Sequence, residues 1–118
     1  MSAGFRDLKV WQRSKALAVE IHRLKNRSPL SGDFALRDQM RRATISVCSN
    51  LAEGDFRQTN KEAVQFFFIA KGSLAELSPQ LEIAQAVHAL DVAVVTPVLT
   101  ECETIGGMIR ALINHRRI

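Results

Sequence analysis

The residue types that most often carry catalysis or hold metals are few in this chain and lie on separate segments. None of the three histidines, His22, His88 and His115, has a glutamate three residues before it. A di-metal site in a helical bundle needs Glu-x-x-His pairs and further inward glutamates. A Ser/His/Asp arrangement and a glycine-rich phosphate loop also find no support. We therefore predict that the protein is not an enzyme and has no metal or other cofactor.

The two cysteines, Cys48 and Cys102, fall at apolar positions of predicted helices and show no CxxC spacing. Free cysteine is among the most buried residue types, and a metal site or disulfide framework would need more cysteines at closer spacing. We predict buried free thiols rather than a disulfide, a metal site or a nucleophile.

The charged side chains are the remaining candidates for binding a ligand. Residues 1–61 carry twelve Lys or Arg against six Asp or Glu, whereas residues 62–118 carry four against six. Such a surface can contact a phosphate backbone or an acidic partner, although a solvated face explains a modest excess more often. Few aromatic residues accompany the basic ones, so base stacking is not indicated. The candidate contact residues are Arg13, Arg37, Arg41, Arg57 and Lys61.

Two amphipathic helices are predicted in the basic half of the chain. The first runs from about Phe5 to Arg27, with apolar residues at three- and four-residue spacing, and the segment SPLSGD at 28–33 ends it. The second begins at Asp33 or Phe34 and runs to about Glu53. Gly54 is placed to end this second helix.

The densest motif is RRATISVCSNLAEG, residues 41–54, which carries an apolar line and a polar line on one helix. Asn50 lies beside the apolar line, where a half-buried amide needs hydrogen-bond partners, so we predict a structural bond to a neighbouring helix end. Only Arg41 faces away as a ligand contact. The polar line, which we expect to join helices or subunits, consists of Arg42, Ser46, Ser49 and Glu53.

A third helix begins after Thr59, because Thr59 and Glu62 form a capping box. Its core stripe keeps four-three spacing past Pro79, which predicts one kinked, continuous helix rather than two. A restart at Ser78-Pro79 is the alternative. The opposite face is also rich in apolar residues, which favours either cover by the chain itself or a subunit interface in which Gly72 permits close approach.

The fourth helix is predicted to start with Thr96 as N-cap and Pro97 as first residue, and the basic tail at 114–118 is predicted to fray. We predict a single domain over residues 1–118, an all-α, antiparallel, up-down-up-down four-helix bundle. No uncharged apolar run approaches the roughly 18 residues of a membrane span, and the N-terminus lacks a signal-peptide core. We expect a cytoplasmic protein without a membrane partner.

Four segments carry a resemblance to a known family. They are FRDLKVWQ at 5–12, QMRRATISVCSNLAEG at 39–54, KEAVQFFFIAKGSLAEL at 61–77 and LEIA at 81–84. Together they resemble the four-helix-bundle proteins encoded within intervening sequences of bacterial 23S ribosomal RNA genes. The family pattern has a proline where this chain has Cys48, and usually Glu-Thr where it has Ser78-Pro79.

This resemblance implies a ring, specifically a homopentamer, whose biochemical activity is not established for the family. The chain is also similar to the accessory protein of diversity-generating retroelements, a basic pentameric bundle associated with reverse transcriptase and nucleic acid. The resemblance implies structural or interface roles, with Glu76 as an acceptor for an arginine. The positions concerned are Arg42, Asn50, Glu53, Gly54, Gly72 and Glu76.

Our leading functional hypothesis is a non-enzymatic homo-oligomer that binds structured RNA or another nucleic acid through phosphate contacts. The alternative is a ring-shaped scaffold that binds a partner protein, in which the positive charge only steers association.

Overall fold

The computed structural model describes residues 4–24 and 30–117, and no strand occurs in these ranges. The predicted end of helix one near Arg27 lies outside them. Short 3-10 helices, Gly4–Asp7 and Leu30–Gly32, precede the first two α-helices. The α-helices are α1 (Lys9–Leu24), α2 (Phe34–Phe56), α3 (Asn60–His88) and α4 (Val92–Arg116).

The four helices form an antiparallel bundle that measures 45 × 22 × 21 Å. Three residues connect α2 to α3 and three connect α3 to α4, and connections this short force consecutive helices to run in opposite directions. The main contacts are between α2 and α3 and between α3 and α4, while α1 packs on α2 and less extensively on α4. The predicted all-α four-helix bundle is confirmed.

Each helix contributes one apolar stripe to the core, at the three- and four-residue spacing of an amphipathic helix. Every position of the stripe predicted for α3 is buried, from Ala63 to Ala84. Helix α3 is also continuous through Pro79, so the alternative of a restart at Ser78-Pro79 is wrong.

Polar side chains cap the helix N-termini, where backbone N–H groups lack intrahelical partners. Thr59 accepts a hydrogen bond from the backbone N–H of Glu62 at 3.2 Å, which confirms the predicted start of α3. Asp33 caps α2 and also lies 2.8 Å from Nε2 of His88 at the end of α3. The bond with His88 is the main reason why the pKa of Asp33 lies below its ordinary value.

The predicted start of α4 at Thr96-Pro97 is wrong. Asp91 accepts a hydrogen bond from the N–H of Ala93 at 2.9 Å, and α4 begins at Val92, one turn earlier. The first residues of α4 remain helical because Val95 is buried in the core. The stabilisation from this burial exceeds the loss of the backbone hydrogen bond that Pro97 cannot donate.

The prediction that Gly54 ends α2 is also wrong, because α2 continues to Phe56 and Gly54 lies inside it, buried. A Cβ atom at position 54 would lie 2.5 Å from Cε1 and 2.8 Å from Cδ1 of Phe67, and 3.1 Å from the carbonyl oxygen of Ala63. Gly54 is therefore a point of close approach between α2 and α3.

Helix α4 is the one helix in the described ranges that is long and apolar enough, by length and composition alone, to cross a membrane. Its most apolar 18-residue window has a mean hydropathy of 1.4, and 22% of that window is buried inside the bundle. Helices that pack in bundle cores meet the same criterion.

Substitution of Gly54 by alanine tests the close approach of α2 and α3 at that residue. We expect Gly54→Ala to lower the free energy of unfolding by about 1–3 kcal/mol, because the added methyl group overlaps Phe67 and this cost exceeds the gain in helix propensity. The matched control is Gly107→Ala, whose Cβ would meet only Nη2 of Arg110 at 3.9 Å. The control should gain roughly 0.5–1 kcal/mol in urea unfolding. Equal stabilisation of both variants would contradict the contact.

Candidate nucleic-acid interface

The basic residues predicted to contact a ligand occupy three places on the bundle. Two lie near the start of α2, two lie where α2 connects to α3, and Arg13 lies apart on α1. Arg13 donates to Oε1 of Glu101 on α4, and this hydrogen bond raises the pKa of Arg13 above its ordinary value. Arg13 thus joins α1 to α4 rather than presenting an unpaired charge.

The first group, which we name the α2 cluster, consists of Arg37, Asp38, Arg41 and Arg42. Arg41 donates to one carboxylate oxygen of Asp38 and Arg42 donates to the other, both at 2.8 Å. The bond from Arg41 is the main cause of the lowered pKa of Asp38. Three arginines against one aspartate leave two positive charges in excess.

An exposed aromatic ring lies beside the α2 cluster. The guanidinium carbon of Arg37 is 5.2 Å from the centre of the Phe34 ring, which is 74% exposed. Arg37 also donates to the carbonyl oxygen of Ser31. An open cavity of about 400 Å³ lies here, and it is lined by Phe34, Ala35, Arg37, Asp38 and Arg41.

At the other end of α2, three consecutive phenylalanines of α3 each lie beside an arginine from a different part of the chain. One arginine belongs to the connection between α2 and α3, and two belong to the end of α4. The pairs, with the distance from guanidinium carbon to ring centre, are Arg57 and Phe66 (4.6 Å), Arg116 and Phe67 (5.7 Å), and Arg117 and Phe68 (5.4 Å).

These arginines and Lys61 form the second group, which we name the end cluster. Three of its members, Lys61, Arg116 and Arg117, border a cavity of about 510 Å³ between the start of α3 and the end of α4. None of the described residues that line this cavity is acidic. The remaining lining residues are Asn60, Val64, Gln65 and Phe68.

Arg116 holds the end of α4 against the start of α3. It donates to Oδ1 of Asn60 at 3.4 Å and to Oδ1 of Asp55 at 3.5 Å. These contacts and the ring of Phe67 explain why α4 is helical through Arg116, where the sequence predicted a frayed tail.

Sequence reasoning missed Arg116 and Arg117 as site residues because it treated the tail as unstructured. The signal that could have found them is topological, since an antiparallel bundle places the end of α4 beside the start of α3. The two clusters themselves lie far apart. Arg37 and Arg57 are twenty positions apart, which at 1.5 Å per residue corresponds to about 30 Å along α2.

Asn50 is half-buried, and among the described residues it bonds only to Ser46 of its own helix, so the predicted bond to a neighbouring helix end is wrong. The Nδ2 of Asn50 donates to the carbonyl oxygen of Ser46 at 2.8 Å and to the Ser46 hydroxyl at 3.1 Å. That hydroxyl lies 2.7 Å from the hydroxyl of Ser73 on α3. The polar line of α2 therefore contacts α3 at Ser46.

Two other members of the polar line, Arg42 and Glu53, form ion pairs within α2 and its C-cap rather than between helices. Arg42 pairs with Asp38, and Glu53 pairs with Arg57. Two further family positions face outward on α3. Gly72 is exposed with no atom within 4 Å of a Cβ added there, and Glu76 is exposed without an ion pair to any described residue.

Among the apolar surfaces that the described residues leave exposed are one on α3 and one between α1 and α2. One is an outward face of α3, here named the α3 stripe, on which Ile69 is 51% exposed, Ile83 54% and Val87 64%. Gly72 and Glu76 lie between these residues on the same face.

The second surface is a groove of about 790 Å³ between α1 and α2, which we name the α1–α2 groove. Its apolar lining includes Trp11, Ile45 and Cys48, and exposed Lys15 and Arg23 border it. No acidic residue is among the described side chains that line it.

Neither cysteine is poised for reaction. Burial raises the pKa of both Cys48 and Cys102 to about 11, so both thiols are protonated at neutral pH. Both are free thiols, as predicted, with Cys102 buried and Cys48 half-buried. No group of three His, Cys, Asp or Glu side chains suited to a metal ion occurs in the parts of the chain that the structure describes.

Comparison with known proteins identifies the family. Residues 6–111 match the 23S rRNA-intervening sequence protein family. The chain belongs to this family. The match spans most of the bundle, from the 3-10 helix before α1 to the last part of α4.

A solved structure shares the fold of this chain. The chain is similar to a protein of unknown function from the S23 ribosomal protein family of Bacteroides thetaiotaomicron VPI-5482, with a TM-score of 0.81 and 19% sequence identity. The similarity covers 88% of this chain and 97% of the other. At this identity the likeness concerns the fold alone. No protein with a curated function matches.

The family match and the end cluster overlap only in part. The matched range includes Arg57 and Lys61 but ends before Arg116 and Arg117. The half of the end cluster that α4 contributes therefore lies beyond the region that matches the intervening-sequence family.

Proposed function

We propose that this chain is a non-enzymatic, homo-oligomeric protein that binds structured RNA through phosphate contacts at its two basic clusters. The observation that carries this proposal is the end cluster, where three cationic side chains, from the start of α3 and from the end and C-cap of α4, border one cavity with no acidic residue among its described lining. The family name refers to 23S rRNA, which favours RNA as the nucleic acid.

The two clusters differ in how much charge they can offer to phosphates. In the α2 cluster, Arg41 and Arg42 share the carboxylate of Asp38, so a phosphate must compete with that ion pair. In the end cluster, Arg57 pairs with Glu53 and Arg116 pairs with Asp55. Its other two members, Lys61 and Arg117, form no ion pair with any residue in the described ranges. We expect the end cluster to dominate the affinity and the α2 cluster to add a second contact about 30 Å away.

Self-association would repeat both clusters and raise the avidity for one RNA molecule. We propose that the α3 stripe of one copy docks into the α1–α2 groove of the next. The stripe combines isoleucines with the unpaired carboxylate of Glu76, and the groove combines an apolar lining with Lys15 and Arg23. Because the two surfaces differ, the contact is heterologous. Repetition of a heterologous contact forms a ring when the rotation between neighbouring copies closes, and we propose that it closes here as the pentamer that the family resemblance implies.

Reversal of one charge tests the RNA proposal. We expect Lys61→Glu to weaken binding of the full chain to a structured RNA by roughly tenfold at about 50 mM salt, because a phosphate contact is lost and a repulsion is added. Lys9→Glu is the matched control, since both lysines are exposed in the first turn of a helix, where a glutamate suits the helix dipole. Fluorescence anisotropy with labelled RNA measures both variants.

Equal affinities of the two variants would remove the end cluster from the interface. Absence of RNA binding by the unmodified chain would remove RNA as the ligand and favour the protein-scaffold alternative.

Mixing two charge-reversed variants tests the proposed assembly. Glu76→Lys makes the stripe basic, and the double variant Lys15→Glu, Arg23→Glu makes the groove acidic. Each variant alone should be monomeric by light scattering, because like charges meet at its own interface. An equimolar mixture should associate again, because the stripe of each variant then meets a groove of opposite charge on the other variant. Five subunits cannot alternate around a closed ring, so the mixed assembly should be an open chain or a ring with an even number of copies.

A different result is expected if the α3 stripe of one copy contacts the α3 stripe of a second copy. In that arrangement the groove variant alone would remain assembled, and this outcome would contradict docking of the stripe into the groove.

A further inference from the structure

We infer that the cavity of the end cluster binds one unpaired nucleotide, such as a bulged or loop residue, with its base against Phe68 and its phosphate between Lys61 and Arg117. This inference rests on the proposed RNA-binding function and specifies which part of an RNA the site takes. It reverses the expectation that base stacking plays no part.

The size and lining of the cavity suit a nucleotide. Its volume of about 510 Å³ falls within the range of roughly 300–1,000 Å³ that small-ligand pockets occupy. Val64 and Phe68 supply apolar surface, Asn60 and Gln65 supply amides, and the basic residues supply positive charge. A base, a sugar and a phosphate need these three kinds of contact.

Phe68 is the residue that favours an unpaired base over a duplex. Its side chain is 45% exposed, and it follows Phe67, which is fully buried. The guanidinium carbon of Arg117 lies over the Phe68 ring, 5.4 Å from its centre, and both residues line the cavity. Aromatic and guanidinium planes both stack on unpaired bases, whereas the bases of a duplex are covered by their neighbours.

The two amides have hydrogen-bonding capacity left for a base edge. Asn60 uses its Oδ1 to accept from Arg116, which leaves its Nδ2 group as a donor. Gln65 is exposed and forms no side-chain hydrogen bond with any described residue, so it can both donate and accept. Arg116 acts here as a positioning residue, because its bonds to Asn60 and Asp55 hold the end of α4 beside α3.

The positive charges of Lys61 and Arg117 exclude an apolar peptide as the ligand of this cavity. An apolar side chain in this cavity would take Lys61 and Arg117 out of water without a partner of opposite charge, which is costly. A phosphate-bearing ligand instead neutralises both groups.

The test compares two RNA probes that differ by one nucleotide, a stem with a single bulged residue and the same stem without it. The full chain should bind the bulged stem more tightly. Phe68→Leu, which keeps apolar surface but removes the aromatic plane, should weaken binding to the bulged stem by roughly tenfold and change binding to the plain stem by less than about twofold. Phe34→Leu is the matched control, because Phe34 is also exposed beside an arginine, in the α2 cluster.

The outcomes separate this inference from the function on which it rests. If the plain stem binds and Lys61→Glu weakens it, but Phe68→Leu leaves the preference for the bulge unchanged, the nucleotide site is wrong and RNA binding stands. An equal loss of the preference in Phe34→Leu would also overturn the site. If neither probe binds, RNA binding itself fails.

Discussion

The close contact of Gly54 with the ring of Phe67 is the constraint on which the rest of the bundle depends. Any side chain at position 54 would occupy the space of that ring, so α2 and α3 can approach this closely only at a glycine. Phe67 in turn supports Arg116, whose bonds to Asp55 and Asn60 hold the end of α4. The end cluster thus lies beside this close packing of α2 against α3. A rigid base of this kind keeps charged side chains on separate helices in a constant relative position.

Local sequence patterns predicted the helices correctly where a pattern has a single structural interpretation. The four-three spacing of α3 predicted every buried position of that helix, and the Thr59 cap was located because its mechanism is local. The errors occurred where two signals compete. Glycine both ends helices and permits close approach, and nothing within residues 41–54 distinguishes these roles at Gly54. Thr96-Pro97 is a good helix start, but Asp91 is another, and the burial of Val95 decides between them.

The candidate site could be predicted only in part for the same reason. Arg37 and Arg41 lie one helical turn apart, so periodicity alone places them together. The cavity that Lys61 shares with Arg116 and Arg117 is lined by residues more than fifty positions apart, and only the path of α4 brings them together. The exposure of Phe68 was likewise hidden in the sequence, because three consecutive phenylalanines do not reveal which one faces the solvent.

The central claim is that the clustered positive charge of this bundle is a phosphate-binding surface. The most direct measurement is the equilibrium dissociation constant of the full chain for a structured RNA between about 50 and 200 mM salt. If several phosphates are neutralised, the logarithm of affinity should fall linearly and steeply with the logarithm of salt concentration. Binding that is indifferent to salt, or absent at the lowest salt concentration, would contradict the claim.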